Sequence, residues 1–304
     1  MRLSVTHTET FTYDQPALGT IQVLRLTPRD FDGHYVCDWS VDVDADCRLD
    51  TKKDAFGNIV TSFSLPGPLE TLTITARGEV ETDNIHGIVR GTAEKVPTGV
   101  FLRPMTADKD AAATRLLIQA QPNTTPPALE RMHALMGTLH TALPSLADDA
   151  DDKSKGEGTD GRQKQEGASQ SQSQESAAEP SPAAKRLAVQ LADRNSFSAG
   201  DAAMILADAA RHYGLPARLI EGYRLDGDKR ERHLDQRDVW CEVLIDGLGW
   251  VGFDAMEKSC PSEESIRVAA GLDGPTVSAV RAGHYGTEPS CERQTVIALS
   301  RIGG

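Results

Sequence analysis

The sequence lacks what would mark a small stapled domain, a membrane-spanning chain or a nucleic-acid binder. None of its five cysteines forms a CxxC pair, and an odd number cannot all be bridged within one chain. In 304 residues a tiny disulfide scaffold is excluded, and a reduced, cytoplasmic setting is expected. No apolar run approaches the roughly 20 residues that cross a bilayer. The opening MRLSVTHTETFTYD alternates polar and apolar residues with no apolar h-region, so a soluble, unexported protein is expected. Basic residues are in deficit. The 32 Lys and Arg face 45 Asp and Glu, a formal charge of −13, so no overall positive field draws the chain to nucleic acid or an anionic membrane. HExxH, EF-hand, GxGxxG and P-loop patterns are missing, and neither a cofactor nor a metal is expected.

What the chain has is periodicity. From residue 1 to about 102, short runs alternate apolar and polar residues: RLSVTHTETFTYD, TIQVLRLTP, HYVCDWSVDVD, NIVTSFSLPG and ETLTITARGEVET. Asp14 to Pro16, Pro28 to Gly33, Phe56-Gly57-Asn58 and Pro66-Gly67-Pro68 carry turn residues and are expected to reverse the chain. Strands at this spacing predict an antiparallel β-sandwich over residues 1–105, with a core of Val5, Val23, Leu24, Trp39, Val41, Phe63, Leu72 and Ile74.

Residues 106–146 read as a helical lead-in. Leu129, Met132, Leu135, Met136, Leu139 and Leu143 recur at i, i+3, i+4 spacing, an amphipathic helix. Residues 147–182 hold almost no apolar side chain, cannot offset the entropy of ordering, and are expected to be a disordered linker. Helical periodicity returns in AAKRLAVQLADR and SFSAGDAAMILADAARHYG, with Ser198 or Ser196 as cap and Gly214 as stop. The apolar runs ARLIEGYRL, DVWCEVLID, GLGWVGFDA, IRVAAGL and QTVIALSRI follow, so residues 183–304 predict an α+β domain.

Here the chain resembles a known family. GLPARLIEGY, the WxEV strand and DGLGWVGFD are similar to the core of the bacterial transglutaminase-like superfamily. The HTETFTYDQP start, LRLTPRD, the Trp39 strand, DAFGN and GEVET resemble the β domain that precedes that core, and SIRVAAGLDGPTVSAVRAG resembles its closing segment. The resemblance covers nearly the whole chain outside the linker. It implies a papain-like core of helices on an antiparallel sheet. It also implies thiol catalysis by a cysteine at a helix N-terminus, a histidine on one strand and an aspartate on the next.

Aligned on Gly214 and Trp240, the family's cysteine falls on Ala199 and its histidine on Asp238, while Asp254 alone matches the third member. The resemblance therefore implies a pseudoenzyme that keeps the fold and binds a peptide or protein in its groove, with Trp240 and Trp250 helping to build that groove. Relatives resemble accessory components beside ATP-grasp-type ligases and alpha-E proteins, so a peptide-modifying assembly is the setting that analogy suggests. The alternative is an active cysteine-protease-like or amide-transferring enzyme with a relocated nucleophile. Ser198 has no evident base, Cys241 and Asp238 point to opposite faces of one strand, Cys260 and Cys291 lack a nearby histidine motif, and His233 sits in a charged run. Asp238 and Asp254, on neighbouring strands, should repel and raise one pKa; between them a cation or a basic side chain would fit.

Overall fold

The computed structural model describes residues 1–92, 95–105, 108–143, 179–194, 196–226 and 229–300. In chain order its elements are β1 (Arg2–Thr27), β2 (His34–Val43), β3 (Asp50–Lys53), β4 (Ile59–Thr82) and β5 (Ile88–Val89), then helices α1 (Asp108–Gln119), α2 (Ala128–Ala142), α3 (Pro182–Ala192) and α4 (Ala199–His212). Strands β6 (Ala217–Arg224), β7 (Glu231–Leu234), β8 (Asp238–Ile245), β9 (Gly249–Phe253) and β10 (Ser265–Gly271) follow. A single helical turn α5 (Gly274–Val277) leads to β11 (Val280–Tyr285) and β12 (Ser290–Leu299).

The N-terminal runs form one bent sheet. β1 and β4 each continue through a predicted reversal, pairing along their length with irregularities between Thr12 and Ala17 and between Ala17 and Gly19. Asp14 to Pro16 fall in the first irregularity, opposite Glu70, and Gly67-Pro68 in the second, opposite Leu18, so these turn residues act as successive bulges that bend the ribbon. Phe11 and Tyr13 from one half and Leu24, Leu26 and Phe63 from the other share one core, which is how a single sheet does a sandwich's packing. The alternation places Leu24 inside and leaves Val23 half-buried on the other face; Trp39 and Val41 are also half-buried.

The C-terminal boundary is the larger surprise. QTVIALSRI does not stay with the preceding strands. As β12 it pairs with β1 from Leu3↔Leu299 to Thr12↔Ser290, and the seven-stranded sheet runs β2-β4-β1-β12-β7 with β11 on β1 and β3 on β4. The reason is its alternation: Ile297 and Thr295 turn inward, and Ile297 packs with Leu3, Val5 and Tyr223. β5 conversely crosses to the five-stranded sheet, β10-β6-β8-β9-β5. The chain is thus mixed α+β, as expected, with its two sheets exchanging strands.

The five-stranded sheet is a middle layer. Helices α1 to α4 cover one face through Leu219, Cys241, Val243, Val251 and Phe253. The α2 stripe reads as predicted, with Met132, Leu135, Met136 and Leu139 buried and Leu129 and Leu143 at its margin. Ile220, Trp240 and Ala270 on the opposite face pack against Phe56 from the loop between β3 and β4, while Tyr223 and Ile266 pack on Leu3, Val5 and Ile297 of the seven-stranded sheet. Hence β6 and β10 are buried on both sides, with Arg218, Glu221 and Arg267 buried among their apolar residues. DAFGN supplies a rivet between the layers: Asn58 Nδ2 donates to the Ala270 carbonyl (2.7 Å) and the Ala270 N–H donates to Asn58 Oδ1 (2.8 Å). Of the expected linker, residues 147–178 lie outside the described residues; Ser181 and Pro182 cap and open α3.

Candidate functional site

Ser198 starts α4 for a local reason. Its Oγ accepts from the Asp201 N–H (3.2 Å) while the Asp201 carboxylate accepts from the Ser198 N–H (3.0 Å), a reciprocal capping box. Ala199 is therefore the first helical residue, where the helix dipole is positive. It opens onto a cavity of about 1040 Å³. Leu219 and Glu221 of β6, Arg237 and Val239 at the start of β8, and Cys291 and Arg293 of β12 form the facing walls. The lining residues include no histidine. The Ser198 hydroxyl is spent on the cap.

Behind the wall lies a buried charge network that joins the two sheets. Glu9 of β1 takes Arg293 Nε at 2.7 Å and Arg237 Nη2 at 3.1 Å, and its Oε1 lies 3.3 Å from His7 Nε2. Arg237 also pairs with Glu221, whose other oxygen accepts the Ala279 N–H (3.1 Å). Burial by itself would raise the Glu9 pKa, but His7 and the two guanidiniums outweigh it and bring it to about 2. Burial pushes the His7 pKa down, so the ring is neutral at neutral pH.

The other two positions singled out in the sequence do not line this cavity. Asp238 and Asp254 share the sheet face of Trp240, away from α4, because residues 238, 240 and 242 alternate with the helix-facing Val239, Cys241 and Val243. Asp238 is held by Arg232 Nη1 (3.3 Å) and Arg224 Nη2 (3.7 Å). Asp254 Oδ1 accepts from the Met256 and Glu257 N–H groups. Burial raises both carboxyls, Asp254 to about 6, against the pull of these arginines. A basic side chain thus stands where the sequence left a cation or a base open; among the described residues no group of three metal-ligating side chains gathers. His233 is exposed on β7 and paired with Glu231 (2.7 Å).

The two tryptophans correct the groove expectation. Trp240 is buried with Ile220 and Ala270, and Trp250 lies under the Arg218 guanidinium (3.9 Å) and edge-on to Phe101. Both are core, since β8 and β9 sit between two packed layers. Of the thiols, Cys241 is sealed against α4 and its pKa is pushed up by burial. Cys291 is the residue that sequence reasoning passed over. It lines the cavity 4.0 Å from a Glu9 oxygen, with its pKa raised by burial and then by that carboxylate. No local motif announces it, because its place depends on β12 returning to β1 some 280 residues away.

Comparison with known proteins fits this architecture. The bacterial transglutaminase-like N-terminal region matches residues 3–81, and the transglutaminase-like superfamily core matches residues 152–255. The chain belongs to the transglutaminase-like superfamily. A crystal structure of a candidate cysteine protease from Cytophaga hutchinsonii superposes with a TM-score of 0.62 at 13% identity, over 99% of this chain and 98% of that one. At that identity it shows a shared fold. The periplasmic domain of TgpA from Pseudomonas aeruginosa superposes over 84% of this chain and 88% of that one at a TM-score of 0.31, with 13% identity. An uncharacterised Mycobacterium leprae protein, ML0607, is 32% identical over 85 residues. That match spans 28% of this transglutaminase-like chain and 30% of the relative. No helix among the described residues is long and apolar enough to cross a membrane.

Proposed function

We propose that this transglutaminase-like protein is catalytically inactive and uses the cavity at the α4 N-terminus to bind a peptide or an extended protein segment. The observation that carries the reading is the cavity's composition. A methyl group, Ala199, stands at the helix start where the family resemblance places a nucleophile, and no imaginable proton shuttle of histidine type lines the walls. A thiol or hydroxyl attack needs a base in hydrogen-bond reach, and losing members of such a cooperative set typically costs on the order of 10⁴ to 10⁶ in rate. Cys291, the cavity thiol, faces a carboxylate that holds its proton on. Ala199, Asp238 and Asp254 are read as the positions of the family's cysteine, histidine and aspartate.

By the same analogy the partners are protein or peptide, in a peptide-modifying assembly with an ATP-grasp-type ligase or an alpha-E protein, and the compartment is the cytoplasm, where five unbridged thiols are stable. The acidic balance supports the absence of nucleic acid and membrane from this list.

The test is hydrolysis and amine transfer on a glutamine-containing peptide library, for the native chain and for Cys291→Ala. A silent native chain that still retains peptides from the library supports an inactive protein with a binding groove. Turnover by the native chain that survives Cys291→Ala overturns the reading, and turnover abolished by Cys291→Ala assigns it to a relocated nucleophile.

A further inference from the structure

One wall of the cavity is tied to a buried imidazole. His7 of β1 lies between the two sheets with no exposed surface, its Nδ1 2.7 Å from Thr295 Oγ1 of β12 and its Nε2 3.3 Å from Glu9 Oε1. That carboxylate oxygen also accepts from Arg293 Nε at 2.7 Å and lies 3.1 Å from Arg237 Nη2, so three nitrogens converge on it. The other groups that face His7 come from each element packed on it. β6 brings Glu221, paired with Arg237, and the Tyr223 ring at 5.7 Å; the start of β8 brings Arg237 Nη1 at 3.4 Å from Nε2; β12 brings Cys291 at the far oxygen of Glu9; β4 sets Ala76 opposite His7. With a neutral ring, two guanidiniums meet two carboxylates. The two arginines differ in their way out. Arg237 is buried and Arg293 is not, because β7 stops at Leu234, opposite Thr295, and two residues further along β12 Arg293 stands in the cavity wall.

We infer that His7 is a pH-sensing switch of the cavity: on taking a proton it replaces Arg293 at Glu9 Oε1, and the released guanidinium turns into the cavity, where it holds an anionic group of the guest. The consequence for a guest rests on the peptide-binding reading above; the switch itself does not. A protonated imidazole donates from both nitrogens, here to Thr295 Oγ1 and to Glu9 Oε1. Three cations then share two carboxylates. An unpaired charge costs far more buried than in water, so the cation with access to solvent is the one that leaves. Glu9 stays ionised throughout, since its pKa is about 2, while burial sets that of His7 below the ordinary 6.5. Arg293 is therefore tied above the His7 pKa and released below it.

Two readouts on the full chain test this. The first needs no guest. In protein labelled with nitrogen-15 arginine, the Nε–H resonance that Arg293→Lys removes is followed from pH 7.5 to 4.5 by NMR, beside the ring C–H resonance that His7→Gln removes. Both should move with one midpoint, and the arginine resonance should stay in place in His7→Gln. An arginine that does not move while His7 titrates, or that moves as far in His7→Gln, overturns the switch. If His7→Gln does not fold, the His7 ring is assigned through its contact with Tyr223, and the two midpoints in the native chain decide. The second readout is fluorescence anisotropy with labelled acetyl-Val-Gln-Val-Gln-Val-amide and its counterpart carrying cysteic acid, a permanent anion, in place of each glutamine. The sulfonate peptide should bind at least about tenfold tighter at pH 4.5 than at pH 7.5, the size of one charge-assisted hydrogen bond, and Arg293→Ala should lose that gain. An equal gain in Arg293→Ala overturns the role given to the released guanidinium. Failure of both peptides to bind at either pH overturns the peptide-binding reading, and the resonances then still decide the switch.

Discussion

Two buried carboxylates, each held by two arginines, end up doing different things: the Glu242 knot lies within the five-stranded sheet, whereas the Glu9 network joins that sheet to the seven-stranded one. Glu242 accepts Arg218 Nε at 2.6 Å and Arg267 Nε at 2.9 Å, and all three side chains are at most 4% exposed. Glu9 holds Arg237 and Arg293, but Arg293 keeps 32% of its surface exposed and forms part of the cavity wall. The first is sealed beneath Trp250; the second is a cluster whose last member meets solvent. The chemistry is identical, so the difference is one of access: a charged knot becomes available to a ligand only where a strand stops short, as β7 does beside β12.

The strongest way to break the comparison is Glu242→Ala. It takes the carboxylate away from two buried guanidiniums, and we expect a loss of about 3–5 kcal/mol in chemical unfolding. A loss below about 1 kcal/mol would show that the sealed knot is not a structural rivet. Glu9 comes next, through pH. Its folded pKa of about 2 lies below its ordinary 4.5, so the stabilisation is fully present above that ordinary value and is lost as pH falls toward 2. The size is about 3 kcal/mol. Urea midpoints between pH 6 and 3 should fall steeply for the native chain and less for Glu9→Gln. Buried neutral His7, which the unfolded chain protonates below its ordinary 6.5, acts in the same direction and begins earlier.

Asp254 has the opposite sign. Its pKa of about 6 is above its ordinary 3.8, so stability is highest below that value and declines as pH rises through 6. Asp254→Asn keeps an oxygen for the Met256 and Glu257 N–H groups and should stabilise the chain at pH 7.5 by about 2 kcal/mol. An unchanged melting temperature there would mean that Arg224 already compensates the charge. The smallest effect expected is that of Arg293→Ala, under about 1 kcal/mol because solvent screens this pair. Its use is as a partner to Glu242→Ala: stability should separate the two knots widely, while peptide binding should respond to Arg293 alone.

Much of the fold was legible residue by residue. The α2 stripe, the Ser198 cap, the Gly214 stop (φ +74°) and the buried β6 and β10 runs follow from periodicity and capping, which are local. The candidate site was legible only in part. Ala199 was placed at the helix start, since helix registers can be counted from Gly214. Its facing walls were not, because they come from loops and strands whose meeting depends on long-range pairing. Trp240 and Trp250 show the limit: an aromatic residue looks the same in a sequence whether it lines a groove or fills a core.

By itself the sequence determined the element types, the family, the acidic balance and the absence of a cysteine–histidine pair at the expected spacing, all properties of composition and local order. Tertiary structure decided that the turn residues near Asp14 and Pro66 bend a sheet instead of reversing it, that β12 returns to β1, and that Cys291 and Arg293 border the cavity at α4. Strand partners are chosen by global burial, so a local pattern announces a strand without naming its neighbour.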